Sequence, residues 1–320
     1  MKKIFAAILT FVLILTLCAC GRSGGELRFG VLNGPTGIGA VRLLDQTDSG
    51  DYKGCRYTLY NESTDIAAKV VNGELDVCAL PTNLAANLYQ KTGGKVRVIA
   101  LNCLGVLYIL ENGDAVKSVA DMKGRTILCN GQGANPEYVI RYLLRQNGLD
   151  PDRDVELIFK DAAEISALMA SGKADLCMLP MPAAAGVLSK NQDVRCALDL
   201  TAEYAAVTDN GSVLTMGCLV AGADYIEKHP RELKEFLDRC RESAAYVTEH
   251  VSEAAGLAVK YGLAANSGIA EAAIPLCGIC FITGEDIRPS LEGYLQVLYD
   301  ANAASVGGAM PADDFYYTEK

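Results

Sequence analysis

The chain has no tryptophan and only two histidines in 320 residues, and aromatic residues make up 7% of it. Stacking against an aromatic ligand therefore has little to draw on, because no aromatic pair stands at a predicted strand end. Histidine chemistry would depend on His229 and His250, which fall in or beside one late amphipathic helix and read as solvent-facing. A net charge of −10 with no basic stripe opposes binding to nucleic acid or to an anionic membrane surface. There is no aromatic RNA-reading motif and no zinc-finger spacing. The phosphate-loop pattern Gly-x-x-x-x-Gly-Lys-Ser/Thr is also missing, which excludes a P-loop ATPase. Gly131-Gln132-Gly133 lacks the third glycine of a dinucleotide fingerprint and runs into Asn135-Pro136, which argues against NAD. The only close cysteine pair, Cys277 and Cys280, has neither a second such pair nor a nearby histidine to complete a metal set. No cofactor and no metal are expected.

Long apolar runs are equally scarce. One occurs at the N-terminus, where Lys2 and Lys3 precede Ile4 to Leu17, a stretch shorter than the ~20 residues a membrane span needs. It has the form of an export signal rather than part of a fold. The following Leu17-Cys18-Ala19-Cys20 resembles the lipobox of bacterial lipoproteins. The expectation is a signal peptide over 1–19, lipid on Cys20 and a tether over 20–26. Ordinary secretory cleavage, leaving Cys20 free or removed, is the alternative. Removing the two lysines with the leader takes the net charge to −12.

Twelve cysteines in an exported chain would suggest a disulfide framework in a small domain without a core. Half of the chain's 320 residues are hydrophobic, however, so a large core is available. Cys78, Cys103, Cys129, Cys177, Cys196 and Cys218 sit in apolar runs, where a thiol acts as a small hydrophobe, and buried free thiols are expected.

Strand and helix patterns alternate along the chain: strands at 27–32, in "CRYTLY", in "VCAL", in "VRVIALN" and in "VLYILE", with helices between them, including one from about Gly37 and one over 63–71. After "NGDAVKSVADMKG" the pattern begins afresh, with strands in "RTILCN", "VELIFK", "DLCML" and "VRCALDL" and helices near 136–146, 162–170 and 183–190. Such alternation indicates parallel sheets covered by helices. The two units also repeat one another: at an offset of 99 residues, Ile66, Gly73, Asp76, Cys78, Leu80, Pro81 and Ala85 match Ile165, Gly172, Asp175, Cys177, Leu179, Pro180 and Ala184. Each copy reads as a helix closed by a left-handed glycine, then a buried strand ending at a proline. From about Val213 a further strand and long amphipathic helices are expected to return to the first lobe. This gives lobe I over 27–113 and 210–320, lobe II over 114–209, and crossings near 112–117 and 205–214. Ligands of open α/β sheets bind beyond the C-terminal strand ends, and two such edges facing each other form a cleft.

In this order and spacing, the lipobox, "FGVLNGPTGIGAVRLL", "GELDVCALPTNLAANLY", "DMKGRTILCNGQGANPEYVIRYLLRQNGLDP" and "SGKADLCMLPMP" resemble the substrate-binding lipoproteins of ABC importers. The group concerned includes sulfonate-, taurine-, nitrate- and thiamine-precursor-binding proteins. The resemblance implies a type 2 periplasmic-binding-protein fold, two α/β lobes on a two-segment hinge, closing as a monomer over a small organic and possibly anionic solute. It further implies an ABC permease and its ATPase subunit as partners, and anchoring by lipid on the extracytoplasmic face of the cell membrane.

Predicted loop positions supply the candidate contacts. Asn33, Gly34, Pro35, Thr36 and Gly37 follow the first strand. Gly131, Gln132, Gly133, Ala134 and Asn135 are their counterpart in the second lobe. In both, glycines allow close approach and free amides at a helix start can donate to an anionic group. Alternatively both are simple strand-to-helix turns, with Asn135 as an N-cap ahead of Pro136. Thr82, Asn83 and Asn102 are first-lobe donors, and Met181 is an apolar contact from the second lobe. An enzyme on the same fold, of the thiamine or menaquinone biosynthetic type, would need catalytic groups in the cleft. Glu285-Asp286 and Asp313-Asp314 read as solvated turns, and no serine or cysteine nucleophile with a nearby base is identifiable. A docking lipoprotein that binds no solute is the third reading.

Overall fold

The computed structural model describes residues 25–318. The expected signal peptide over 1–19 and the expected lipid acceptor Cys20 lie outside the described residues. Among the described residues eleven strands form two sheets: β1 (Leu27–Leu32), β2 (Cys55–Tyr60), β3 (Val77–Pro81), β4 (Val96–Leu104), β5 (Leu107–Asn112), β6 (Thr126–Cys129), β7 (Glu156–Phe159), β8 (Leu176–Pro180), β9 (Val194–Asp199), β10 (Thr215–Gly222) and β11 (Ile279–Ile282). The first sheet has the order β11-β4-β10-β3-β1-β2 and the second β7-β6-β8-β5-β9. In each, parallel strands built by β-α-β crossovers receive one antiparallel insertion, β10 between β3 and β4 and β5 between β8 and β9.

The repeat behaves as its residues require. Gly73 (φ 68°) and Gly172 (φ 66°) take the left-handed conformation that stops the helices Ser63–Val71 and Ala162–Ala170. The strands that follow are buried over four residues and end at Pro81 and Pro180. Their acidic leads differ. Asp76 accepts from Arg28 N (2.8 Å), Nε (2.9 Å) and Nη2 (2.5 Å), tying the start of β3 to β1, whereas Asp175 is exposed and its carboxylate has no such pair. Asp76→Ala should therefore cost about 1–3 kcal/mol in urea unfolding, and Asp175→Ala no more than about 0.5 kcal/mol. Equal costs would refute the asymmetry.

Three features depart from the sequence reading. The strand in "VLYILE" belongs to the second sheet, where Leu107 faces Pro180 and Tyr108 faces Asp199. The first crossing thus falls at Gly105-Val106 rather than near 112–117, and the division at 113 moves with it. An apolar strand pattern reports burial but not which sheet does the burying. Cys280 lies in β11, an edge strand on β4 that was not anticipated. Cys196, expected to be buried, is exposed because β9 is an edge strand; the ten cysteines of the described residues are all free.

The core positions the cleft. The helix Pro230–Glu249 lays Leu233, Phe236 and Leu237 on the first sheet, with Phe236 edge-on to Phe29 at 5.0 Å. Each such fully buried side chain contributes roughly 1.5–3 kcal/mol. One apolar cluster continues from Val98 and Leu101 of β4 through Leu107 and Ile109 of β5 to Ile127 and Leu176, so the lobes share a core where the chain crosses. The helix Ile287–Ala301 packs on the helix Asn135–Gln146 of the second lobe, and beyond it Asn302 Nδ2 donates to Tyr138 Oη at 2.9 Å.

Candidate ligand-binding cleft

The C-terminal ends of β1 and β3 face those of β6 and β8, and the loops beyond them meet. The join is a hydrogen bond between the lobes: Asn135 Nδ2 donates to Asn83 Oδ1 at 3.1 Å. Asn135 is therefore not the helix cap. Ala134 occupies the cap position without a side-chain bond, and the Asn135 side chain turns across the cleft, only 5% exposed. Next to Asn83, the fully buried Thr82 donates from Oγ1 to the Thr215 carbonyl at 2.9 Å, pinning the start of the helix Thr82–Thr92 to β10.

The wall of the first lobe is formed by Thr36, Asn102 and Gly217. A Cβ at position 217 would lie 2.5 Å from Thr36 Cγ2 and 3.0 Å from Asn102 Oδ1, so glycine is what allows the three to meet. Behind them is a small space of about 20 Å³, enough for one water, lined by Thr36, Asn102, Phe29 and Cys280 among others. At the crossing, Gly105 lies against Thr201 and Leu214, where its own Cβ would fall within 3 Å of both.

Of the eight buried side-chain polar atoms without a hydrogen-bonding partner in the protein, among the described residues, five belong to this region: Asn102 Oδ1, Asn130 Oδ1, Asn135 Oδ1, Thr201 Oγ1 and Thr215 Oγ1. Leaving such an atom unpaired costs about 1–3 kcal/mol. All five lie near strand ends, at the start of the helix Asn135–Gln146 or at the chain crossings, where the two lobes adjoin. Asn130, Thr201, Thr215 and Gly217 were not among the sequence candidates. Asn130 directly follows β6 and precedes Gly131, and that adjacency was the one local signal available.

The two loops expected to offer free amides are partly satisfied from within. Gly34 N–H donates to Asn33 Oδ1 (2.8 Å), and Gly37 and Ile38 N–H donate to the Gly34 carbonyl. The helix they open, Pro35–Ile38, is four residues long and breaks before Val41–Ser49, so it carries little dipole. In the second lobe, Gly133 N–H donates to Glu137 Oε2 (2.7 Å), so a carboxylate of the chain itself occupies the helix start. Gln132, Gly133 and Ala134 are exposed. Met181, 2% exposed, donates its N–H to the Val106 carbonyl and packs in a cluster containing Ile38, Cys103 and Leu179. It is core that supports the cleft.

The remaining sequence candidates lie elsewhere. His229 and His250 cap helix ends, against Tyr225 (4.8 Å) and Tyr246 (4.7 Å). Asp314, read as solvated, pairs with Arg97 at 2.7 Å and accepts from Tyr89 Oη. Cys103 Sγ donates to the Cys277 carbonyl, and burial holds both thiols above their ordinary range, so neither is a ready nucleophile.

Two α/β lobes, each with one antiparallel insertion in a parallel sheet, and a polar cleft beside two chain crossings define a protein of the periplasmic-binding-protein fold. The NMT1/THI5-like family model matches residues 57–254, and the chain belongs to that family. An ABC transporter structure from Parabacteroides distasonis is similar over 92% of this chain and 100% of its own, with 22% identity and a TM-score of 0.76. The periplasmic aliphatic sulphonate binding protein SsuA of Escherichia coli matches over 93% and 94%, with 16% identity and a TM-score of 0.67. A Candida albicans protein described as having the generic periplasmic binding protein fold matches over 91% and 93%, with 14% identity and a TM-score of 0.53. No curated protein sequence matches. Among the described residues, no helix is long and apolar enough to cross a membrane.

Proposed function

We propose that the chain is the extracytoplasmic solute-binding lipoprotein of an ABC importer, which captures a small organic molecule by closing its lobes and hands it to a permease powered by a separate ATPase. The observation that carries this reading is the set of unpartnered polar atoms at the junction of two lobes between which the described chain crosses twice, at 104–107 and 199–215. Closing without a solute leaves those atoms unpaired, at about 1–3 kcal/mol each, so closure and capture are one event. The segments 104–107 and 199–215 act as the hinge. Lipid on Cys20 would hold the binder near its transporter, each buried methylene contributing about 0.8 kcal/mol. The resemblance of the fold to SsuA and to the Parabacteroides distasonis protein supports the transport role.

The test is solution scattering with thermal unfolding, over a panel of sulfonates, nitrate, thiamine precursors, amino acids and amides. A solute at a hundredfold excess over Kd adds about 2.7 kcal/mol to the folded state, which is a rise in Tm of roughly 5 °C for a chain of this size. The same solute should reduce the radius of gyration. A rise in Tm with no change in shape would refute capture by closure.

A further inference from the structure

Asparagine is followed by glycine six times, at Asn33, Asn72, Asn112, Asn130, Asn147 and Asn210. In each pair the glycine nitrogen is a nucleophile within reach of the carboxamide before it, because no Cβ shields that nitrogen. Geometry separates the six. The Gly73 and Gly148 amides are taken by the Val70 and Arg145 carbonyls that close their helices. Asn112 is held in β5 opposite Val194, and Asn130 Oδ1 is buried. Asn210 Oδ1 accepts from Ser212 N–H at 3.0 Å, one residue beyond the nitrogen that would have to attack.

Asn33 is folded onto its own glycine. Its Oδ1 accepts from Gly34 N–H at 2.8 Å, which puts Cγ, one bond away, beside the nitrogen that would attack it. The other end of the carboxamide is fixed as well, with Nδ2 donating to Asn61 Oδ1 at 3.2 Å. Asn33 is exposed, and a Cβ on Gly34 would meet nothing within 4 Å, so water and hydroxide can approach the pair. A nucleophile and carbonyl held together in this way have lost most of their orientational freedom before they react.

We infer that Asn33 is a site of spontaneous covalent modification, deamidated through a succinimide in the folded protein and ahead of the other five. Hydroxide takes the proton from Gly34 N, and the nitrogen forms a bond to Asn33 Cγ. The Cγ–Nδ2 bond then breaks, and Nδ2 takes a proton from water and leaves as ammonia. A second water opens the ring, at Cγ to leave aspartate or at the main-chain carbonyl to leave isoaspartate. Either product carries a new carboxylate and no Nδ2 to donate to Asn61, so the tie between the turns after β1 and β2 is lost. Isoaspartate also lengthens the main chain by one methylene just before Pro35 and Thr36, at the wall of the first lobe. The inference does not depend on which solute the cleft takes.

The purified full-length protein is warmed at mildly alkaline pH, folded in one series and unfolded in urea in another, and both are followed by peptide mapping with mass spectrometry. In the folded series residue 33 should convert at least about tenfold faster than any of the other five, the advantage of a near-attack arrangement. In urea the six should convert at similar rates. Asn61→Ala, which releases the far end of the carboxamide, should slow the folded reaction several-fold and leave the reaction in urea unchanged. A folded-state rate at Asn33 no greater than that at Asn210 or another of the five would overturn the inference, as would a folded Asn61→Ala that converts as fast as the parent. The comparison of the six sites in the parent decides the outcome even if the variant fails to fold.

Discussion

Replacing Glu111 with alanine should lower the unfolding free energy by about 3–5 kcal/mol at neutral pH, the penalty expected when one partner of a buried ion pair is removed. Glu111 sits near the end of β5, 1% exposed, between the strand and the turn that follows it. Its carboxylate accepts from the amides of Ala115 and Val116 (3.2 and 3.1 Å) and from Arg195 Nη2 (2.6 Å), with Arg125 at 3.6 Å. Arg195 in turn donates to the carbonyls of Gly113 and Val116. Loss of the carboxylate would strand two amides and a guanidinium group that now meet at one point. Burial by itself would push this carboxyl up, but the Val116 amide and Arg195 outweigh it and hold it below the ordinary glutamate range. Because the folded value is the lower one, the contribution to stability is complete above the unfolded value of about 4.3 and disappears as pH falls through the depressed folded value. Urea unfolding at pH 7 should show the full gap between parent and variant, and the gap should shrink as the solution is taken well below pH 4. A gap under about 1 kcal/mol at pH 7 would contradict a buried, paired role.

The second large effect falls on capture. Asn135→Ala should weaken solute binding by about 10- to 100-fold, the equivalent of one lost hydrogen bond between the lobes plus one between protein and solute. The bond to Asn83 exists only where the lobes meet, so its loss acts on the closed form alone. Asn83→Ala should cost less, because Asn83 supplies the bridge while Asn135 also presents its free oxygen. Calorimetry on the parent, both single variants and the pair would give a coupling energy between them of about 0.5–3 kcal/mol. Strictly additive losses would show that the bridge forms no part of the closed, loaded state. Folding stability supplies the control, since the apolar cluster that joins the lobes does not depend on this bond.

Much of this could be read locally. Gly73 and Gly172, the helices Ser63–Val71 and Ala162–Ala170, and the strands ending at Pro81 and Pro180 follow from short-range rules, because a left-handed glycine and a proline act on their own neighbours. The assignment of β5 did not, since "VLYILE" is apolar on both faces and would suit the middle of either sheet. The cleft was half visible. Loops after strands indicated where Thr36, Asn83, Asn102 and Asn135 would gather, but Asn130, Thr201 and Thr215 matter because their polar atoms are buried without partners, and only tertiary packing decides that. The expectation of free amides in the two turns had the same origin: glycine-rich turns suggest them, and local sequence does not show that Asn33 and Glu137 fold back onto the Gly34 and Gly133 amides.

The placement of β10 also bears on the order in which such a chain comes together as it emerges. All five strands of the second sheet come from one uninterrupted stretch, 107–199, so that sheet can assemble as soon as the stretch has emerged. The first sheet cannot. Its centre is filled by Thr215–Gly222, which pairs with both Val77–Pro81 and Val96–Leu104. Until residue 222 arrives, β3 and β4 have an open gap between them, with their backbone amides and carbonyls unpaired along the facing edges. The lobe that begins the chain is therefore the later of the two to be completed. The earlier-formed lobe is the scaffold on which the returning strand is delivered.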